Sequence, residues 1–193
     1  MVTVEIAVVY ESLFGSTHEV ADAIAEGVGE ARPDATVTCL RVADAAPDRV
    51  VAADVLFVGG PTHMHGMSSH VSRKLGLQSE AKKRTEHGDA AGHEPEPEAE
   101  SPGLRDWVHQ LPKAPEGRFA AAFDTRLGHR LAGGASSGIA HRLRRDGYEV
   151  VGEEGFIIDD ADGSLRAGER DRARSWAADL VRQTVMSAGA RRA

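Results

Sequence analysis

The feature that most constrains what this chain can fold into is an almost continuous apolar run, Val2–Tyr10. A run of this length without regular polar–apolar alternation is typical of a strand that is buried on both faces, as in parallel sheets. The period then changes, because Val20, Ile24 and Val28 recur every four residues and mark one face of a helix. A buried strand followed by an amphipathic helix predicts an α/β fold.

The alternation of apolar runs and helical periods continues to the end of the chain. Strands are predicted at 2–10, 35–42, 55–59, 119–123 and 154–158, and the later helices at 47–53, 68–77, 102–111 (with Ser101 as its N-cap), 136–145 and 167–186. The first helix is predicted to begin at Ser16 or Thr17, because Ser16 and Glu19 have the spacing of a capping box. This order favours a doubly wound, five-stranded parallel sheet with helices on both faces.

One stretch lacks the apolar side chains that an ordered segment needs. Between Asp89 and Glu100 there are five acidic residues, no basic residue and no apolar side chain larger than alanine. Such a composition does not offset the entropy that ordering costs. The sequence therefore predicts a single domain over 1–193 that carries a mobile acidic insert at about 79–101.

Charge and cysteine content narrow the choice of partners and location. The chain has 30 acidic and 23 basic residues, a formal net charge of −7, which disfavours a nucleic-acid or anionic-membrane partner. Its apolar runs are too short to span a bilayer, and its first residues do not have the pattern of a signal peptide. The single cysteine, Cys39, cannot form an internal disulfide. We therefore expect a cytoplasmic protein with no membrane span.

The loop after the first strand has the composition of a phosphate site. Ligands of doubly wound sheets bind beyond the carboxyl ends of the strands. Residues 11–17 offer three hydroxyls, a glycine and the start of a helix, which together suit an anion. The loop lacks the lysine of a P-loop and the glycine spacing of a dinucleotide site. The alternative, from these residues alone, is an ordinary strand–helix turn with Ser16 as the cap.

Three loops resemble those of the flavodoxin family. The pattern Ser-x-x-Gly-x-Thr at 12–17 is similar to the phosphate loop of that family. Gly-Gly-Pro-Thr-His, with a further glycine at position 66, resembles its first flavin-ring loop, and Phe-Asp-Thr-Arg at 123–126 is similar to the second. The resemblance implies a flavodoxin-like sheet with strand order 2-1-3-4-5 and noncovalently bound FMN.

The resemblance also implies which residues hold the cofactor. Hydroxyl and N–H groups of the first loop would cradle the phosphate, and the other two loops would line the two sides of the flavin ring. Backbone N–H groups near Thr125 and Arg126 would face its pyrimidine end. The candidate cofactor-binding residues are Ser12, Leu13, Phe14, Gly15, Ser16, Thr17, Pro61, Thr62, His63, Met64, His65, Gly66, Asp124, Thr125 and Arg126.

The ring loops differ from the family pattern in ways that bear on function. Phe14 stands where the family usually has a threonine, so one hydroxyl contact is lost. The ring loops have no Trp or Tyr, and the first contains His63, Met64, His65 and Met67 instead. These side chains would pack less tightly on the flavin and leave it more open to a substrate.

The implied function is electron transfer or oxidoreduction through FMN, with a redox partner protein or a small-molecule electron acceptor. The alternative is an FMN-dependent reductase or dehydrogenase of a quinone or porphyrinogen-type substrate, and a further one is a binding module that has lost FMN. Arg126 beside the ring would favour the anionic reduced flavin and raise its potential. His63 and His65 are candidate proton-relay residues.

Other kinds of site fit the residues less well. His63, His65 and His70 are close in sequence, but no acidic or cysteine ligand lies nearby to complete a metal site. A phosphorylated receiver domain needs an aspartate at the end of the third strand, where this chain has Gly59. Cys39 lies in a predicted strand, which favours a structural role over nucleophilic catalysis.

Overall fold

The predicted parallel sheet is present, with the expected order of its strands. The computed structural model describes residues 3–63, 66–67, 78, 103–128, 133–159 and 161–191. The parallel strands are β1 (Glu5–Tyr10), β2 (Thr36–Arg41), β3 (Val55–His63), β5 (Phe119–Leu127) and β6 (Glu149–Ile158). Their spatial order is β2-β1-β3-β5-β6, and the short β4 (Gly66–Met67) pairs antiparallel with the end of β3. Apart from this added hairpin, the order equals the predicted 2-1-3-4-5.

Helices cover both faces of the sheet, because residues of the central strands are apolar on both faces. Leu56 and Val58 of β3 belong to one core cluster and Val55 and Phe57 to the other, and none is more than 2% exposed. The helices are α1 (Ser16–Ala31), α2 (Pro47–Val50), α3 (Leu104–Gln110), α4 (Ala135–Arg145) and α5 (Glu169–Arg191). The first cluster includes residues of α3 and α4, and the second includes residues of α1 and α5.

The strands that end at the candidate site are longer than predicted. We expected β3 to end at Gly59, but it continues through Gly60 and Pro61 to His63. These residues have low strand propensity, yet β5 lies alongside and pairs Gly59 with Phe123, Gly60 with Asp124 and Pro61 with Thr125. The tertiary partner therefore overrides the local preference, and the predicted second ring loop begins inside β5.

The capping box predicted at the start of α1 is wrong. Gly15 is the N-cap, and Ser16 is the first helical residue. The Ser16 hydroxyl donates over 2.6 Å to the carbonyl of Gly163, in the loop between β6 and α5. The Ser16 hydroxyl therefore bonds to a residue that is distant in sequence and does not cap α1.

Several predictions fall on residues that the structure does not describe. The insert at about 79–101 and the helix at 68–77 lie outside the described residues, as do Met64 and His65. The single-domain organisation over 1–193 stays a prediction. Among the helices of the described part, none is long and apolar enough to cross a membrane.

At Gly27, α1 lies directly against the backbone of α5. A Cβ atom on Gly27 would lie 2.1 Å from the backbone carbonyl oxygen of Arg174. A Cβ on Gly29, two residues further along the same helix, would meet no atom within 4 Å. The contact at Gly27 therefore sets the distance between the two helices on this face of the sheet.

We predict opposite effects for alanine at these two glycines. Gly27→Ala forces α1 and α5 apart and lowers the free energy of unfolding by about 1–3 kcal/mol. Gly29→Ala is the matched control, and it raises that free energy by up to ~1 kcal/mol because alanine has the higher helix propensity. Urea denaturation followed by circular dichroism measures both. Equal effects of the two substitutions would contradict the close helix contact.

Candidate functional site

The three predicted loops meet at one edge of the sheet. Because β1, β3 and β5 are parallel and adjacent, their carboxyl ends lie side by side. The chain runs from β1 to β2 on one side and then to β3 on the other, so the order of strands reverses between β1 and β3. This reversal is where doubly wound sheets bind ligands.

The first loop forms a tight turn at the start of α1. Gly15 has a φ of 101°, in the left-handed region where a side chain would be strained, and its N–H donates to the Ser12 hydroxyl oxygen over 3.1 Å. The N-cap makes no side-chain cap hydrogen bond within the described part of the chain. The positive end of the α1 dipole therefore lies beside a turn in which Ser12 provides a hydroxyl group.

Two buried threonines join the first loop to the third. The hydroxyl oxygens of Thr17, in the first turn of α1, and Thr125, in β5, lie 2.7 Å apart, and the two residues are 2% and 3% exposed. Sequence reasoning assigned Thr125 only a backbone role at the flavin ring. That backbone role stays a prediction, and the side chain of Thr125 contacts the predicted phosphate loop on the α1 face of the sheet.

Glu11 is a site residue that sequence reasoning missed. Its side chain is 5% exposed, and its Oε2 accepts the backbone N–H of Leu104 over 2.5 Å, at the start of α3. Trp107 fixes the same helix from another side, because its indole N–H donates to the carbonyl of Ala45 over 2.5 Å. The only sequence signal for this role of Glu11 was a charged residue directly after an apolar strand.

The end of β3 is held against the start of α4. The Thr62 hydroxyl oxygen accepts the N–H of Ala135 over 2.9 Å. Met67 of β4 packs near Gly138, where an added Cβ would lie 3.4 Å from the methionine methyl group. The backbone of His63 pairs with Gly66, while its side chain is outside the described part of the structure. Pro61, Thr62 and Gly66 thus lie in the β3–β4 hairpin beside α4.

Asp124 is a fully buried carboxylate at the centre of this edge. Its Oδ2 accepts the N–H of Ser136 over 2.7 Å and so caps α4, and its Oδ1 lies 2.9 Å from Nε of Arg126. The second contact is a charge contact without hydrogen-bond geometry, because Oδ1 has no hydrogen-bond partner among the described residues. Burial raises the pKa of Asp124, and the Ser136 N–H and the Arg126 charge oppose that rise.

Arg126 occupies space that two glycines leave free. A Cβ on Gly155 would lie 1.7 Å from its Nη2, and one on Gly134 would lie 2.7 Å from its Nη1. Its Nη1 also donates to the carbonyl of Gly133 over 3.1 Å. The guanidinium is therefore held against the sheet by Asp124, β6 and the segment before α4. It is 29% exposed, so part of it remains at the surface of the site.

The other candidates for chemistry in this chain are the clustered histidines and the single cysteine. They contain no group of three His, Cys, Asp or Glu side chains that could hold a metal ion, and His65 and His70 lie outside them. Burial raises the pKa of Cys39 to about 12, with a further contribution from Asp22. The thiol of Cys39 is therefore protonated at neutral pH.

The first loop fits a phosphate group on the chemistry of its donors. The Ser12 oxygen accepts the Gly15 N–H, so its own hydrogen stays available to an anion. The Thr17–Thr125 pair has two hydroxyl hydrogens and needs only one for the bond between them. These donors lie at the positive end of a helix dipole, which favours an anion without a lysine or arginine.

Comparison with known proteins agrees with this geometry. Residues 8–92 match the family model for flavodoxin, a stretch that includes the first two loops. No curated protein sequence gives a match.

The similar solved structures include flavodoxins that align over nearly the whole chain. An archaeal flavodoxin has 19% identity and a TM-score of 0.59, with 93% of this chain and 98% of that chain covered. Flavodoxin 2 of Bacillus cereus has 20% identity, a TM-score of 0.60 and coverage of 93% and 98%. The flavodoxin of Streptococcus pneumoniae has 15% identity, a TM-score of 0.60 and coverage of 93% and 99%. At these identities the likeness establishes the fold.

The chain therefore has a flavodoxin-like fold, and its residues 8–92 are similar to the flavodoxin family.

The raised pKa of Asp124 predicts a pH-dependent contribution to stability. The folded state holds the Asp124 proton more tightly than the unfolded state, so this contribution is greatest at low pH. It decreases as the pH rises above the ordinary value near 3.8, and it levels off above the raised pKa.

Asp124→Asn isolates this contribution, because the amide keeps an acceptor for the Ser136 N–H and does not titrate. We expect the free energy of unfolding of the wild type minus that of Asp124→Asn to decrease with rising pH over this window. Urea titrations of both proteins at several pH values measure it. A difference that increases with pH would mean that Arg126 and Ser136 stabilise the carboxylate more than burial disfavours it.

Proposed function

We propose that this protein binds FMN and acts in electron transfer or oxidoreduction. The observation that carries the proposal is the uncharged phosphate cradle at the start of α1, at the point where the strand order reverses. Its Gly15 turn and its Ser12 and Thr17 hydroxyls are arranged around a helix N-terminus with no side-chain cap among the described residues. The single cysteine further supports a reducing, cytoplasmic location.

In this proposal each loop has a separate role. The turn holds the phosphate through the hydroxyls of Ser12 and Thr17 and the backbone N–H groups of residues 16 and 17, since the Gly15 N–H donates to Ser12 and the Ser16 hydroxyl is bonded to Gly163. The β3–β4 hairpin and the end of β5 lie on the two sides of the flavin ring. The proposed cofactor contacts therefore remain Ser12, Leu13, Phe14, Gly15, Ser16, Thr17, Pro61, Thr62, His63, Met64, His65, Gly66, Asp124, Thr125 and Arg126.

Bound FMN supplies the redox chemistry, and the protein supplies its position and its electrostatic surroundings. In this proposal the end of β5 lies beside the flavin ring, and Arg126, which is paired with Asp124, is a positively charged group on that side of the site. A positive charge near the flavin favours its anionic reduced form. Arg126 therefore raises the reduction potential of the flavin in this proposal.

The same charge favours a second candidate function. A low-potential electron carrier needs surroundings that disfavour a reduced, anionic flavin, whereas Arg126 has the opposite effect. An FMN-dependent reductase or dehydrogenase of a quinone or porphyrinogen-type substrate fits this electrostatic environment better. In that reading, His63 and His65 are proposed to relay protons to or from the site.

Flavin binding is the first test of the proposal. We expect the purified protein to be yellow, or the stripped protein to quench the fluorescence of added FMN with a saturable, one-to-one titration. A colourless protein that leaves FMN fluorescence unchanged would indicate a binding module that has lost the cofactor. With FMN bound, oxidation of NAD(P)H in the presence of a small quinone and without a partner protein would favour the enzyme over the carrier.

Replacing Arg126 tests its electrostatic role. We expect Arg126→Gln to lower the reduction potential of bound FMN by roughly tens of millivolts, because a positive charge near the ring is lost. Spectroelectrochemical titration measures the potential. Arg142→Gln is the matched control, since Arg142 also pairs with a buried aspartate, Asp146, but at the far end of α4. Equal shifts in the two variants would show that Arg126 has no specific effect on the flavin.

A further inference from the structure

The hydroxyl pair formed by Thr17 and Thr125 has one more hydrogen than its own bond uses. The two oxygens are 2.7 Å apart, and this is the hydrogen bond that the described structure gives to either hydroxyl. Each hydroxyl has one hydrogen, and the bond between them needs only one of the two. Both side chains are almost completely buried, so a hydrogen without an acceptor would be costly.

The position of the pair indicates which hydroxyl keeps the spare hydrogen when an anion is bound. If Thr17 donated to Thr125, the spare hydrogen would lie on β5, where the described residues offer it no acceptor. If Thr125 donates to Thr17, the spare hydrogen lies in the first turn of α1. There the helix dipole attracts an anion that can accept it.

We propose that Thr125 is a positioning residue for the phosphate of the cofactor, an inference that rests on the proposed FMN function. By donating to the Thr17 oxygen, Thr125 directs the Thr17 hydroxyl hydrogen toward the phosphate. Thr125 therefore sets the selectivity of the site for FMN over riboflavin, which lacks the phosphate. It does so from 108 residues away in sequence and without contacting the anion itself.

Thr125 can be altered without removing the neighbouring charged pair. Side chains alternate between the two faces of a strand, so Asp124 and Arg126 lie on the α4 face of β5 and Thr125 on the α1 face. Thr125→Val keeps the shape of the side chain and removes its hydroxyl. Thr125→Ser keeps the hydroxyl and removes one methyl group.

The test compares the binding of FMN and of riboflavin by fluorescence quenching. We expect Thr125→Val to weaken FMN binding about 10- to 100-fold while riboflavin binding changes less than about threefold. Thr125→Ser should retain most of the wild-type preference for FMN. The control is Thr184→Val, which removes a buried hydroxyl that bonds within α5, and it should leave both affinities unchanged.

A double-mutant cycle shows whether Thr125 acts through Thr17. Thr17→Val should weaken FMN binding by itself, and adding Thr125→Val should then cause little further loss. Independent, additive effects of the two substitutions would overturn the positioning role. If Thr125→Val is poorly folded by circular dichroism, the same comparison is made with Thr125→Ala.

The outcomes separate this inference from the function on which it rests. Wild-type protein that binds neither flavin overturns the proposed function and the inference with it. Wild-type protein that binds FMN, together with a Thr125→Val variant that has an unchanged ratio of FMN to riboflavin affinity, overturns the inference alone. Loss of FMN selectivity with retained riboflavin binding supports both.

Discussion

Burial of the central strands on both faces is the constraint on which the rest of this structure depends. Leu56, Phe57 and Val58 of β3 are completely buried, so β3 needs strand partners on both edges and helices on both faces. Parallel neighbours linked by helices meet this need, and they place the carboxyl ends of β1, β3 and β5 at one edge. The position of the candidate site in the fold is therefore set by the burial of apolar side chains, and the polar side chains only complete it.

Polar side chains at that edge connect the loops to the helices around them. Thr62 and Asp124 accept N–H groups at the start of α4, Glu11 accepts one at the start of α3, and Thr17 contacts Thr125. Helix N-termini leave unpaired N–H groups that need such acceptors. The same side chains thus satisfy helix ends and fix the geometry of a binding site. A substitution at Thr62, Asp124 or Glu11 therefore affects a helix end as well as the site.

Local sequence patterns predicted elements well where burial alone decides them. The run before Tyr10 and the four-residue period from Val20 give β1 and α1 at nearly the expected residues. They failed where a tertiary partner competes with local preference. Gly60 and Pro61 predict the end of a strand, yet pairing with β5 extends β3 through them. Ser16 has the sequence pattern of a helix cap, yet its hydroxyl bonds to Gly163. Propensity is a weak bias that such contacts outweigh.

The sequence by itself determined the α/β alternation, the parallel sheet and the three loops at which a cofactor is expected. The alternation and the parallel sheet follow from periodicity, which records how each local segment is buried, whereas the loops are identified by their residues and by their resemblance to those of the flavodoxin family. Only the tertiary structure decided the partners of the polar side chains. Thr17 and Thr125 are 108 residues apart, and Glu11 and Leu104 are 93 residues apart. Such contacts depend on strand register and on where each helix packs, which no local pattern encodes.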